Sequence, residues 1–323
     1  MQYFDLARPT DPAQAAMLAA RPGAKYIGGG TDLMQLLKND VERPTHLVDL
    51  DFVLDDRIDT QGGSLRIGGR ARMSDAALHP LVAQNFPVVA EALLASASPQ
   101  VRNMASMAGN LLQRTRCGYF RDTGFPCNKR VPGSGCPAIE GENRMLAVLG
   151  TSEACIASNP SDLAVALAAM DAALDLRGPD GARQLAVTDF HLLPGEHPEH
   201  ETVLRPGEMI EAIRIPLSPM GRRSTYVKVR DRQSFEFAVV SAAVGLDMDG
   251  GTVRDARVAL GGVGTKPWRA RAAEAALRGR QAGDAAWRDA AAAALQGAVP
   301  RSKNAFKIKL AQSTLVRALA ALA

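Results

Sequence analysis

What the chain lacks is informative. None of its alanine-rich stretches reaches the about 18 uninterrupted apolar residues that a bilayer-spanning helix requires, so no membrane insertion is expected. The opening residues, MQYFDLARPT, have no basic start followed by an apolar core, and the sequence is expected to carry no secretory signal of its own. A strong excess of charge of one sign is missing too. The chain has 38 basic and 34 acidic residues, and the excess of +4 is scattered without a lysine–arginine block. A nucleic-acid partner is therefore not expected, because such partners are met by clustered cations. No repeat of fixed period occurs. Cysteine is rare, with four in 323 residues, and all four fall in one segment as Cys117, Cys127, Cys136 and Cys155.

What is present describes a globular protein. Apolar residues at 46% and charged residues at 22% exclude wholesale disorder, and the length predicts two or three domains. The N-terminal part reads as an α/β unit: a helix from Asp11, then strand, glycine turn and helix in AKYIGGGTDLMQLLK, then strands at THLVDL and SLRIGG. An apolar-faced helix over 86–95 leads into SPQVRNMASMAGNLLQ. Residues 114–143 lose all periodicity, and loops of that length inside a compact domain are usually functional. Regularity returns with the helix SDLAVALAAMDA and strand-like ALDLRG, AVTDF and EMIEAIRIPL. A boundary is expected at SPMGRRS (218–224), dividing the chain into 1–220 and 221–323. Beyond it lie three strand candidates and alanine-rich helices.

Two glycine-bearing segments are candidate cofactor loops. Ile27-Gly28-Gly29-Gly30-Thr31-Asp32 joins a strand to a helix, where free amides and the helix terminus suit a phosphate. It matches neither GxGxxG nor GxxxxGK[ST], so neither a Rossmann fingerprint nor a P-loop is present, and a simple tight turn is the alternative. The second segment runs from Ser98 to Asn110 (SPQVRNMASMAGN), and its small and amide-bearing residues suit close backbone contact with a cofactor or a capped turn. Asn159-Pro160-Ser161-Asp162 reads as a helix N-cap that could also reach a ligand.

The cysteines are ten, nine and nineteen positions apart, without the close C-x₂₋₄-C pairs of structural zinc sites. Spacing alone leaves an iron–sulfur cluster, zinc or free structural thiols open. Arg114, Arg116, Arg121, Lys129 and Arg130 flank the first two cysteines, with Asp122 the only acid near in sequence. That cationic surround would suit an anionic cluster and raise its potential. His197 and His200, in LPGEHPEHE, read as a solvated loop rather than a metal site.

Taken together, these motifs resemble the flavin-binding medium subunits of the xanthine dehydrogenase family of molybdenum hydroxylases. IGGGTDL is similar to the family's first FAD loop, QVRNMASMAGNL to its second, SDLAVAL to its third contact and YVKVRDRQSFEFAVVSAAV to the opening of its C-terminal domain. Ala108 and Ser106 depart slightly from the family pattern, and both remain small. QRTRCGYFRDTGFPCNKRVPGSGCPA and SEACIASNPSD resemble the subgroup that carries an extra [4Fe–4S] cluster in this subunit, in aldehyde oxidoreductases.

The resemblance implies an α+β fold: a PCMH-type FAD-binding domain of two α/β subdomains, then a CO-dehydrogenase-flavoprotein-like domain of antiparallel sheet and helices. It assigns FAD to Tyr26–Leu33, Ser106, Met107, Gly109, Asn110 and Asp162, with Ile210 packing near the flavin ring and Lys228 touching it. It assigns a [4Fe–4S] cluster to Cys117, Cys127, Cys136 and Cys155. It implies an electron-transfer subunit with no catalytic residue of its own, working in a heterotrimer. A molybdenum-cofactor large subunit and a [2Fe–2S] small subunit would deliver electrons for an external acceptor. The compartment would be cytoplasmic, or periplasmic by co-export with a signal-bearing partner. The rival readings are a stand-alone FAD oxidase of the same fold and a structural zinc-binding scaffold.

Overall fold

A computed structural model describes residues 1–323, which form three sheets. The first is parallel: β1 (Asp5–Ala7), β2 (Ala24–Ile27) and β3 (His46–Asp49), in the order β1-β3-β2. Parallel neighbours need crossover connections, supplied here by helices Pro12–Ala19 and Leu33–Lys38. The first helix starts where the sequence places it. The Asp11 carboxylate accepts from the Gln14 amide at 2.8 Å, and Pro12 sits in the first turn, where its missing N–H costs nothing.

The second sheet is antiparallel. Its strands are β4 (Ile58–Gln61), β5 (Ser64–Gly68), β6 (Ala173–Gly178), β7 (Gly181–Ala186) and β8 (Met209–Pro216), in the order β4-β5-β8-β6-β7. Gly62 and Gly63 close the β4–β5 hairpin with φ of 56° and 75°, the left-handed pair that such two-residue turns require. Alternate residues of the sheet, among them Leu65, Ile67, Leu174, Leu176, Ile213 and Ile215, enter the core. The expected strand at AVTDF is not one. The ladder ends at Ala186 and Val187–Phe190 coil into a helical turn that buries Val187 and Phe190.

The third sheet is antiparallel as well: β9 (Ser224–Val229), β10 (Val240–Asp249), β11 (Thr252–Gly261) and β12 (Trp268–Arg269), in the order β12-β11-β10-β9. Helices Arg271–Leu277, Asp284–Ala294 and Phe306–Ala320 cover it and bury Trp287, Leu315 and Leu319. A short helix, Pro219–Arg222, separates β8 from β9.

The cores do not stop at that junction. Helix Asp162–Ala169 is buried along every residue, and it shares a core with Tyr226, Ala243 and Ala259 of the third sheet. An all-round apolar helix belongs between layers. Lys307 of the last helix is fully buried and donates to the carbonyls of Met145 (3.0 Å), Leu146 (3.0 Å) and Gly262 (2.6 Å). Between Leu111 and Asp162 the only helix or strand is Gly118–Arg121. No helix is long and apolar enough to cross a membrane.

Candidate cofactor site

A cavity of about 940 Å³ opens between the three sheets. That lies near the top of the range of about 300–1,000 Å³ for small-molecule pockets, as suits a large ligand. The residues from Tyr26 to Leu33 form one wall. None of the amide N–H groups from Gly28 to Asp32 donates to an acceptor within the chain. Successive unpaired amides beside a cavity make an anion-binding nest, which fits a diphosphate.

Glycine is required here by crowding as well as by conformation. A Cβ on Gly29 would lie 1.8 Å from the Met104 carbonyl oxygen, whereas the left-handed position is Gly30, at φ +69°. Tyr26 Oη donates to Gly207 O at 2.8 Å, and burial lifts its phenol above the usual range, so it stays neutral.

The second loop meets the first at Ser106. A Cβ on Gly28 or Gly109 would come within 3.1 or 2.9 Å of Ser106 Oγ. Its backbone, however, is occupied. The amides of Met107, Ala108, Gly109 and Asn110 donate to Ala71 O, Gly69 O, Ser106 Oγ and Ser106 O. The capped turn that the sequence also allows is present, so free amides come from the first loop and the second offers side chains and close packing. Ser106, Gly109 and Asn110 line the cavity, but Met107 does not, because its side chain is fully buried in the core. Asn110 Oδ1 accepts from Ser161 Oγ at 2.6 Å, tying the second loop to the third.

Ser161 caps helix Asp162–Ala169 by accepting from the Ala164 amide, so the capping reading holds while Asp162 faces the cavity. Asp162 accepts from Lys228 Nζ at 2.8 Å, Tyr226 Oη at 2.6 Å and Ser96 Oγ at 2.9 Å. The Asp162 and Lys228 side chains are 6% and 3% exposed, and Lys228 also donates to Ala95 O. Burial, with the Asp162 charge beside it, raises Tyr226 well above its ordinary value and keeps its proton on as donor. Ile210 lies on β8 where the register shifts against β6, a bulge that re-aims the strand at the cavity.

The four cysteines line a second, small cavity; Cys117, Cys127 and Cys155 are buried and Cys136 is half-buried, all as free thiols. Burial pushes the Cys117 thiol up to about 11 and raises Cys136 and Cys155. Three or more ligands are nowhere gathered tightly enough for a single ion. Tetrahedral zinc, at about 2.3 Å per bond, would draw its sulfurs to about 3.8 Å from one another. Four thiols lining one small cavity are a donor set that a four-iron cluster takes as readily as zinc does.

The basic surround is not the free field that sequence proximity implied. Asp32, Glu42 and Glu201 arrive from distant parts of the chain. Arg116 and Arg121 each reach Asp32 at 2.9 Å, Arg114 pairs with Glu42 and Glu201, and Lys129 lies 3.0 Å from Glu201. Arg130 donates to the carbonyls of Tyr119 and Phe120. Much of the charge expected to raise a cluster's potential is therefore neutralised. Burial drops Arg116 to about 10, with Asp32 acting against it. Its guanidinium lies 4.7 Å from the centre of the Phe237 ring and also borders the large cavity.

The structure thus brings every expected FAD residue except Met107 to one cavity, and the four cysteines to another. His197 and His200 sit in an exposed loop on either side of Glu199. Sequence reading missed Tyr226, although its i, i+2 spacing from Lys228 on a strand puts both on one face. It also missed Ser96, Glu42 and Glu201, for which no local signal exists.

The family described as FAD binding domain in molybdopterin dehydrogenase matches residues 2–218, and CO dehydrogenase flavoprotein C-terminal domain matches 224–322. The aldehyde oxidoreductase FAD-binding subunit PaoB of Escherichia coli is 49% identical, over 99% of this chain and 98% of that protein. The carbon monoxide dehydrogenase medium chain of Afipia carboxidovorans is 28% identical over 82% of this chain and 76% of its own. The crystal structure of a Cu,Mo-CO dehydrogenase in its cyanide-inactivated form contains a chain that superimposes with a TM-score of 0.78 at 26% identity, covering 99% of this chain and 98% of that one. The chain belongs to the FAD-binding oxidoreductase subunits of the xanthine dehydrogenase and carbon monoxide dehydrogenase family.

Proposed function

We propose that this chain is the electron-transfer subunit of a molybdenum hydroxylase complex of the aldehyde oxidoreductase type, holding FAD in the large cavity and a [4Fe–4S] cluster on Cys117, Cys127, Cys136 and Cys155. The observation that carries the reading is the run of unpaired amides from Gly28 to Asp32, which faces the same cavity as the buried Asp162–Lys228 pair. The likeness to the E. coli aldehyde oxidoreductase subunit over nearly the whole chain supports the partner class.

In this reading residues 1–220 bind the flavin and residues 221–323 close over it with Lys228. The amides of the first loop hold the diphosphate, Ser106 and Gly109 pack against it, and Ile210 shields the ring. Asp162 fixes the Lys228 ammonium in place through one oxygen, while Tyr226 donates to the other and Ser96 Oγ lies 2.9 Å from the first. FAD, when bound, supplies the step from single-electron delivery to two-electron release. A molybdenum-cofactor large subunit oxidises the substrate, a [2Fe–2S] small subunit relays electrons, and an external acceptor removes them. The three chains form a heterotrimer, placed in the cytoplasm or co-exported to the periplasm with a signal-bearing partner.

Purification of the native complex tests this. About one FAD per chain, with four irons and matching acid-labile sulfide beyond those of the small subunit, is expected. Stoichiometric zinc without sulfide would refute the cluster, and a colourless, flavin-free chain would refute the whole reading.

A further inference from the structure

We infer that Asp32 is a clamp that makes FAD binding and cluster binding depend on each other, a positioning residue shared by the two cofactor sites. The inference rests on the reading above that both cofactors bind this chain. Asp32 ends the glycine loop and stands at the N-cap position of helix Leu33–Lys38, yet its side chain makes no capping bond there. Both oxygens turn instead to the loop that bears the first cysteine. Oδ2 accepts from the Arg114 amide at 2.8 Å, and Oδ1 receives Arg116 Nη1 and Arg121 Nη2, each at 2.9 Å. Arg116 precedes Cys117, and Arg121 closes the short helix that follows it.

The far side of that helix is fastened to the other cysteines. Arg121 also donates to Thr115 O and Arg114 O, and Arg130 holds Tyr119 O and Phe120 O from beyond Cys127. Asn128 donates to Ala154 O, beside Cys155. Chelation of an iron core by the four thiols therefore fixes segment 114–121, and through Asp32 it fixes the loop whose amides face the diphosphate. Glu42 and Glu201 also grip this segment, but neither belongs to the glycine loop.

Coupling of this kind is reciprocal: whatever factor the cluster adds to FAD affinity, FAD adds to cluster retention. The test uses the full-length purified chain, stripped of FAD and retitrated by flavin fluorescence quenching, with the cluster intact and after removal by oxidation and chelation. The rate of iron loss to a chelator is measured with and without FAD. In the wild type, cluster removal should weaken FAD at least about fivefold, and FAD should slow iron loss. In Asp32→Asn the affinity ratio should collapse to within about twofold. Arg121→Gln breaks the same contact from the other side and serves if the first variant does not fold. A merely structural defect would weaken FAD equally with and without the cluster, leaving the ratio unchanged, and that result overturns the inference. A wild type that holds both cofactors with a ratio of one overturns it alone. A wild type with FAD but neither iron nor sulfide overturns the cluster reading as well.

Discussion

Replacing Gly29 by alanine isolates the role of loop contact in flavin binding. The new Cβ would stand 1.8 Å from Met104 O, 2.6 Å from Met104 C and 3.2 Å from Ala105 Cα. Ordinary contact needs about 3.5 Å, so the two loops must part by about 1.7 Å at a point where the backbone of the second is pinned. The Met73 amide donates to Ala105 O, and Arg72 Nη1 donates to Met104 O at 2.6 Å, which resists that movement. Overpacking of this sort costs about 1–3 kcal/mol. At about 1.4 kcal/mol per decade, that is roughly a 5- to 150-fold loss divided between folding stability and FAD affinity. Gly30→Ala is the matched comparison. Its Cβ meets only Met34 Cγ, at 3.3 Å, and Ile27 Cδ1, at 3.7 Å, so its cost is the left-handed backbone, about 1–2 kcal/mol, with the loops still in register. Flavin titration of the stripped protein, with thermal melting of each variant, separates the two. Wild-type affinity and melting temperature in Gly29→Ala would refute the argument that the two loops form one cradle.

Lys228→Met leaves the Asp162 carboxylate buried without its cation; a loss of about 3–5 kcal/mol in denaturant melts is expected, together with weaker flavin binding. Cys127→Ser should lower iron and sulfide content together on elemental analysis, and a variant with undiminished iron would remove Cys127 from the ligand set. His191 Nε2 donates to Leu111 O, and burial brings the imidazole down from 6.5 to about 4. As the pH falls between those values the unfolded chain takes up the proton first, so stability present above 6.5 is lost towards 4 by up to about 1.4 kcal/mol per pH unit. Melts of wild type and His191→Gln across that window should differ in slope. The FAD-loaded chain alone should be bleached by dithionite but not by an aldehyde, whereas substrate-driven bleaching without partners would favour the stand-alone oxidase.

Much of the local chemistry was legible in the sequence. Asp11 before proline starts a helix, Ser161 caps another, and a triple glycine between strand and helix makes a turn, because each depends on residues within a few positions. The gathering of the cysteines was legible as well, three in the aperiodic stretch and Cys155 twelve positions beyond it. Tertiary structure decided the rest. Arg114, Arg116, Arg121 and Lys129 lose their expected effect on the cysteines because their acidic partners, Asp32, Glu42 and Glu201, lie between 72 and 89 positions away. Asp32 also takes the Arg114 amide. The first and second loops both carry small residues, yet the amides of one are unpaired and those of the other are occupied. Residues 107–111 coil into a helical turn capped by Ser106 and lie against the carbonyls of Gly69 and Ala71, and residues 28–32 meet no such acceptors. Gly29 illustrates the division most directly: sequence reading places glycine for a phosphate's approach or a tight turn, and the fold requires it because another backbone passes 1.8 Å from where a side chain would begin.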